Sequence, residues 1–345
     1  MIKDSRQQQL KAWSKQQILD LASKSGENRT CEYQWSMVSG DASFRRYFRW
    51  SSGDGHSWIA VDAPPEHENS LQFVKVAEML QSVNAPRVLA KDLEQGFMLL
   101  SDLGDQLYLP LLKQAQEDDH QKKANDLYCR AIDSLCHIQE IPASDLPDYD
   151  KELLLSEMEL FRDWFLQKHL GLELTADEHR LLDKTFEYLV RSAQEQPQVF
   201  VHRDFHSRNI MQCDGDKPGI IDFQDAVRGP LTYDLLSLLR DCYIQWTPQQ
   251  VEYWIDYYLE RTPAVLEKTQ FIQWFDWMGL QRHIKVAGIF CRLNYRDGKA
   301  GYLKDIPLTL TYILQQAENY PDMSEFHQWL KDIVLPKFEQ LQGEE

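Results

Sequence analysis

A short polar segment near the middle of the chain carries most of the side chains that could do chemistry. Residues 201–211 read VHRDFHSRNIM, with two histidines, an aspartate, two arginines and an asparagine between apolar ends. Phosphoryl transfer needs a carboxylate beside the acceptor hydroxyl and oxygen ligands for magnesium. Asp204 and Asn209 lie five positions apart, and one loop can supply both. The segment therefore predicts a catalytic loop for phosphoryl transfer.

A second acidic residue follows on a separate apolar segment. Asp222 stands in GIIDFQD, thirteen residues after Asn209. The order H-R-D-x-x-x-x-N followed by apolar residues and D-F matches the paired signatures of protein kinases. A decorated turn capped by Asp204 and Asn209 is the structural alternative.

These motifs, and several segments outside them, resemble a known group of enzymes. VHRDFHSRNIM and GIIDFQDAVRGPLTYDLLSLLRD resemble the aminoglycoside phosphotransferase and choline kinase-like superfamily. The subgroup it resembles most is the bacterial anomeric kinases of cell-wall recycling, which phosphorylate N-acetylmuramate and N-acetylglucosamine at C1. The similarity from about residue 35 to 315 includes GDASFRRYFR, DAPPEHE, LEQGFMLLSDLGD and QRHIKVAGIFCRLNYRDGKAGYLKDIP.

The resemblance implies a role for each motif residue. Asp204 is expected to be the catalytic base, and Asn209 and Asp222 are expected to bind Mg²⁺ that bridges the phosphates of ATP. This division is physically reasonable, because such catalysis is mostly positioning and charge neutralisation. His202 is expected to brace the loop. Asp234 matches a position that supports the fold, which a helix N-cap would also explain.

Two further segments are predicted to contact the nucleotide. VSGDASFRRYFRW lies between two strands and carries one glycine, Gly40, where protein kinases use three. Ser39, Ser43 and backbone N–H groups are predicted to face phosphate oxygens, with an ordinary hairpin turn as the alternative. FMLLSDLG is predicted to be the hinge whose backbone meets adenine, at Ser101, Asp102 and Leu103.

The third strand departs from the kinase pattern. Protein kinases place a lysine there to hold the α- and β-phosphates, and SWIAVDAPP has none. Val61 or Asp62 occupies the expected position. Either Arg45 or Arg46 of the preceding strand is predicted to replace the lysine, or the metal ion carries more of the charge.

Acceptor-binding residues are predicted in two places. Gln224 and Asp225 lie beside Asp222, where they are expected to reach a sugar hydroxyl, and His206 belongs to the same set. Asp225 is alternatively an ion-pair partner of an arginine. The segment MGLQRHIKVAGIFCRLNYRDG adds basic residues to an apolar helix. Among these we expect Arg292 to meet the acceptor, for instance a lactyl carboxylate, with a solvated helix edge as the alternative.

The pattern of apolar residues predicts an α+β protein. Three strands are expected in YQWSMVSG, FRRYFRW and SWIAVDAPP, and two more in RVLAKDLEQGFMLLSDLG. Between them a helix ends before Pro86, with Leu71, Val74 and Leu80 at helical spacing. Another amphipathic helix is expected over residues 6–23.

Helices dominate after residue 104, with long amphipathic examples predicted over residues 120–139, 151–170 and 176–194. Together with the resemblance, this implies a protein kinase-like two-lobed fold. Residues 1–103 are expected to form the nucleotide-binding lobe. Residues 104–345 are expected to form the helical catalytic and acceptor-binding lobe.

Composition restricts the partners. The chain has 345 residues and a formal charge of −17, from 37 basic and 54 acidic side chains. Such a charge disfavours nucleic acid and anionic membranes, because the long-range field repels phosphates. Six cysteines without a C-x-x-C pair, a polar N-terminus and the lack of a long apolar run are typical of a reduced cytoplasmic protein. A monomer acting on a small amino-sugar substrate is expected.

Three other functions are compatible with parts of the sequence. His202, Asp204 and His206 would alternate onto one face of an extended strand, as in a zinc metallohydrolase. The missing lysine is typical of a pseudokinase that only binds ATP. The same scaffold also serves kinases of choline, homoserine or aminoglycosides, so the fold alone does not determine the acceptor.

Overall fold

The structure is a computed structural model that describes residues 2–24, 32–39, 44–263 and 267–344. Contacts divide the chain into two compact units. The N-terminal unit contains the described residues up to Gln106 together with Ile210–Asp225, and the C-terminal unit contains the remainder. The segment after the catalytic loop therefore returns to the N-terminal unit.

An antiparallel sheet forms the centre of the N-terminal unit, as predicted. Its five strands follow the order β1-β2-β3-β5-β4. They are β1 (Tyr33–Ser39), β2 (Arg46–Ser52), β3 (Ser57–Asp62), β4 (Val88–Asp92) and β5 (Phe97–Ser101). Aromatic side chains suit such half-buried pleated surfaces. Trp50 and Trp58 are accordingly buried beneath Leu10 and Ile18 of helix α1 (Ile2–Lys24).

Helix α2 (Ser70–Met79) connects β3 to β4 and ends in a 3₁₀ turn before Pro86. The side chain of Asn69 accepts a hydrogen bond from the backbone of Gln72 and caps the helix. Phe73 and Val74 are buried. The predicted helix is therefore present, with Leu71 on the outer side of its first turn, where it is 65% exposed.

The C-terminal unit is mainly helical. Its helices before the catalytic loop are α3 (Tyr108–Glu117), α4 (Gln121–Gln139), α5 (Lys151–Leu160), which continues as a π-helix over Phe161–His169, and α6 (Ala176–Glu195). Those after it are α7 (Tyr233–Leu239), α8 (Pro248–Leu259), α9 (Lys268–Asp297), α10 (Ile306–Glu318), α11 (Ser324–Trp329), which continues as a π-helix over Leu330–Val334, and α12 (Leu335–Glu344). Short 3₁₀ segments over Ala300–Asp305 and Pro321–Met323 flank α10. No helix in the described part of the chain is long and apolar enough to span a membrane.

Two short strand pairs border the catalytic loop. Strand β6 (Gln198–Val201) leads into the loop and pairs with β9 (Val227–Pro230) in the C-terminal unit. Strands β7 (Ile210–Met211) and β8 (Gly219–Ile220) pair with each other in the N-terminal unit. The backbone of Ile220 donates to Asn84, which ties this hairpin to that unit.

Candidate active site

The catalytic loop is held by a buried carboxylate. The backbone N–H groups of His202 and Arg203 donate to the two oxygens of Asp234, over 2.6 and 3.0 Å. Asp234 lies in the first turn of α7 and is fully buried. It is not the N-cap, because Thr232 occupies that position. The fold-supporting role implied by the resemblance therefore has a concrete form here, which is the fixing of the loop backbone.

Arg203 has a backbone conformation that residues other than glycine seldom adopt. Its φ is 74°, in the left-handed region that normally favours glycine. Its guanidinium forms an ion pair with Glu157 of α5 and lies 5.5 Å from the ring centroid of Tyr149. Arg282 of α9 donates to the Arg203 carbonyl over 3.2 Å. These contacts fix a strained residue immediately before the predicted base.

Asp204 lies in a strongly positive environment. Burial alone would raise its pKa, but His206, Lys285, Arg282 and Arg203 lower the pKa of Asp204 to about 2. His206 contributes little near neutral pH, because burial lowers its own pKa and leaves the imidazole neutral. The lasting cause is thus the three cations, and Asp204 remains ionised across the physiological range.

The loop geometry disagrees with the zinc-site alternative. The turn at Arg203 breaks the extended alternation that would align His202, Asp204 and His206. The Nδ1 atom of His202 accepts from the backbone of Asp204 over 3.2 Å, so His202 braces the loop. Within the described ranges, no three His, Cys, Asp or Glu side chains are placed to hold a metal ion together.

Asn209 closes the other end of the loop. Its Nδ2 donates to the Asp204 carbonyl over 3.1 Å, so its Oδ1 is the atom suited to a cation. The backbone of Asn209 donates to the carbonyl of His206 over 2.8 Å. Between them, the backbone and hydroxyl of Ser207 both donate to buried Asp241. The C-terminal unit therefore brings Asp204, His206 and Asn209 together on one rigid loop.

The second predicted metal ligand, Asp222, belongs to the N-terminal unit. Its φ is 66°, another left-handed conformation. Gln224 donates to Asp222 over 3.0 Å and to Asp225 over 3.3 Å, so the three predicted residues form one polar group. Asn209 and Asp222 offer only oxygen donors of the amide and carboxylate type, which suits Mg²⁺.

A buried cation accompanies Asp222 in the N-terminal unit. Arg45 forms an ion pair with Glu68 over 2.9 Å, and both side chains are about 90% buried. The charges of Arg45, Glu68 and Asp222 all act on the buried hydroxyl of Tyr47. Burial raises the pKa of Tyr47 to about 12, Arg45 acts in the opposite direction, and Asp222 and Glu68 raise it further. Sequence reasoning missed Glu68, although it ends the resembling segment DAPPEHE.

Arg46, the alternative substitute for the lysine, has a different position. It forms an ion pair with Asp62 over 2.5 Å. Arg6 of α1 reaches the other oxygen of the same carboxylate over 2.6 Å. Asp62 is fully buried, so the third strand carries a neutralised acid at the position where a lysine is common.

The predicted hinge residues lie at the end of β5. The backbone N–H of Arg87 donates to the hydroxyl of Ser101, and the backbone N–H of Ser101 donates to the carbonyl of Arg87, each over 2.9 Å. Asp102 accepts from Arg49 over 2.5 Å, and the Leu103 carbonyl accepts from Cys213 over 3.4 Å. Gly40 and Ser43, the other predicted nucleotide-binding residues, lie outside the described residues, and Arg292 lies on α9.

These features define the class, a phosphotransferase with a protein kinase-like fold. The profile of the family described as phosphotransferase enzymes matches residues 34–270. The N-acetylmuramate/N-acetylglucosamine kinase of Pseudomonas aeruginosa is 40% identical over 341 residues, covering 96% of this chain and 98% of that protein. The chain therefore belongs to the phosphotransferase enzyme family, and it is an ATP-dependent kinase.

Solved structures agree on the fold. Choline kinase from Cryptosporidium parvum matches with a TM-score of 0.59 at 12% identity, covering 91% of this chain and 99% of that chain. A spectinomycin phosphotransferase in complex with ADP and spectinomycin matches with a TM-score of 0.58 at 13% identity, covering 87% and 98%. At such identities the likeness supports the fold alone.

Proposed function

We propose that this kinase transfers the γ-phosphoryl group of ATP to the anomeric C1 hydroxyl of N-acetylmuramate or N-acetylglucosamine. The observation that carries the proposal is 40% identity, over nearly the full length of both chains, with a kinase named for these two sugars. The relative from Neisseria meningitidis, which is also 40% identical, has the same name.

The residues divide the work in the proposed reaction. Asp204 accepts a hydrogen bond from the sugar hydroxyl and orients its oxygen toward the phosphoryl group. Since the pKa of Asp204 is about 2, it is a weak base, and orientation is its larger contribution. Asn209 and Asp222 would hold Mg²⁺, which supplies charge neutralisation on the phosphates when bound.

On the nucleotide side, Arg45 takes the place of the missing lysine. Protein kinases hold that lysine with a glutamate, and the Arg45–Glu68 pair repeats the arrangement with a different cation. A guanidinium offers several N–H donors in a fixed plane, which suits phosphate oxygens. The backbone of Ser101, Asp102 and Leu103 is proposed to meet adenine, and Gly40 and Ser43 to approach the phosphates.

The wider setting is also a proposal. Residues 1–103 would serve nucleotide binding and residues 104–345 catalysis and acceptor binding. The enzyme would act as a cytoplasmic monomer in cell-wall recycling, on small amino sugars and not on nucleic acid.

Incubation with Mg-ATP and a sugar panel tests this function. The panel contains both N-acetylated sugars, their 1-O-methyl glycosides, choline and an aminoglycoside. Phosphorus NMR should show a sugar 1-phosphate, and the glycosides should be inert because C1 is blocked. A product phosphorylated at C6, or turnover of choline alone, would reject the proposal.

A further inference from the structure

One motif of the sequence has no role in the reaction described so far. The tail segment NYRDGKAGYLKDIP connects α9 to α10. Helix α9 is followed by Gly298 as its C-cap, in a left-handed conformation with a φ of 69°. The chain then turns back through the 3₁₀ segment Ala300–Asp305. This return brings Tyr302 and Asp305 to Arg208 of the catalytic loop.

Arg208 immediately precedes Asn209 and is held by aromatic rings. Its Cζ atom lies 3.5 Å from the ring centroid of Tyr243 and 5.8 Å from that of Tyr302. The ring of Tyr243 also contacts His206, with centroids 5.6 Å apart. Arg208 is therefore a positioned cation on the same loop as the predicted base, with about a third of its side chain exposed.

One carboxylate oxygen of the acid opposite Arg208, Asp305, lacks a hydrogen bond within the described residues. The guanidinium of Arg208 lies 3.9 Å from Oδ2 of Asp305, which is beyond hydrogen-bond distance. This oxygen is buried, and no side chain or backbone group in the described part of the chain donates to it. Buried polar atoms nearly always have a partner in native proteins, so one without a protein partner points to water or a ligand.

We infer that Arg208, Asp305 and Tyr302 form a subsite that binds neutral hydroxyl and amide groups of the acceptor. This inference rests on the proposed function and names the groups that recognise the sugar. Asp305 accepts hydrogen bonds from ring hydroxyls, Arg208 donates to a hydroxyl or acetamido oxygen, and Tyr302 packs against the apolar C–H groups of the pyranose.

The charges of the subsite select among ligand classes. An anionic group would be attracted by Arg208 but repelled by Asp305, and a cationic group would be repelled by Arg208. A polar ligand without charge can use both partners at once, since it offers donors to the carboxylate and acceptors to the guanidinium. The subsite thus disfavours choline and polycationic aminoglycosides.

The test compares Asp305→Asn with Asp297→Asn in the full-length protein. Asp297 is a matched control, since it is an exposed aspartate at the C-terminal end of α9 and pairs with Arg296 over 2.8 Å. Steady-state kinetics with N-acetylglucosamine should show at least a tenfold higher KM for Asp305→Asn, with kcat changed by less than threefold and KM for ATP unchanged. Asp297→Asn should match the wild type.

Arg208→Lys provides an independent variant should Asp305→Asn fail to fold, and it is expected to raise KM for the sugar in the same way. An unchanged KM for the sugar in a folded Asp305→Asn protein would overturn the subsite. A parallel rise in KM for ATP, or a fall in kcat alone, would also overturn it, because a purely structural contact behaves in that way. Wild-type protein that phosphorylates no sugar would instead reject the proposed function, a separate result from the ratio between variants.

Discussion

The surroundings of a central carboxylate differ between the two units of the molecule. In the N-terminal unit, Asp62 forms ion pairs with Arg46 over 2.5 Å and with Arg6 over 2.6 Å. In the C-terminal unit, Asp204 is surrounded by cations that lower its pKa, yet no hydrogen bond from a side chain in the described residues reaches its carboxylate. The ion pairs of Asp62 stabilise the fold. The oxygens of Asp204, which lies among cations without such pairs in the described residues, remain available to a ligand.

The strongest test of this contrast is Asp204→Asn. If the ionised carboxylate orients the acceptor hydroxyl, kcat should fall by at least about 10²-fold, since a misplacement of about 1 Å in a reacting group can cost about 10²-fold. Nucleotide affinity, measured by calorimetry with Mg-ADP, should change little, because Asp204 is not proposed to bind the metal. Normal turnover in this variant would remove Asp204 from the mechanism.

Arg45 and Arg46 offer the sharpest comparison inside the N-terminal unit, because they are adjacent and carry the same charge. Arg45→Ala should lower kcat/KM for ATP by about 10- to 100-fold, which corresponds to about 1.5–3 kcal/mol for hydrogen bonds to a charged group. Arg46→Ala should stay within about threefold, because Arg6 still neutralises Asp62.

Steady-state kinetics with ATP varied at saturating sugar distinguishes the two variants. Arg45→Lys should be more active than Arg45→Ala but less active than the wild type, since lysine restores the positive charge without the planar guanidinium group. Equal losses in Arg45→Ala and Arg46→Ala would mean that neither arginine is specialised for phosphate.

The sequence predicted a large part of this arrangement. The catalytic loop, the five strands and the long helices could be predicted because each has a local signature of spacing or periodicity. Glu157 could not, because it reaches Arg203 from 46 positions away and nothing in its own helix marks the contact. The left-handed backbone of Arg203 is equally hidden, since its conformation is set by Asp234 and Arg282.

Substitution of Arg292 should affect binding of the acidic sugar, N-acetylmuramate, and not that of the neutral sugar, N-acetylglucosamine. Its Nε is buried without a hydrogen-bond partner in the described part of the chain, and burial together with nearby Arg296 lowers its pKa. Such a cation gains most from an anion, in contrast to Arg208, which has an acid opposite. Arg292→Gln should raise KM for N-acetylmuramate about tenfold and leave KM for N-acetylglucosamine unchanged. Equal effects on both sugars, in parallel assays, would assign Arg292 to the fold.

The smallest predicted effect concerns pH and compares Asp204 with Asp234, the carboxylate of α7 that anchors the catalytic loop. Burial raises the pKa of Asp234 to about 7, although the N–H groups of His202 and Arg203 oppose this. Its folded-state pKa therefore exceeds the ordinary value of 3.8, so stability from this group falls as pH rises from about 4 through 7. Activity should follow the opposite direction, because only the ionised form offers both oxygens to the loop.

Below pH 7 we expect kcat to decline several-fold, with an apparent pKa that belongs to Asp234 and not to Asp204, whose pKa of about 2 lies far outside this range. The pH profile of kcat for Asp234→Asn should lose the acid limb, at a lower but level rate. A limb that persists unchanged in Asp234→Asn would show that another group titrates there, and that the loop does not depend on the charge of its anchor.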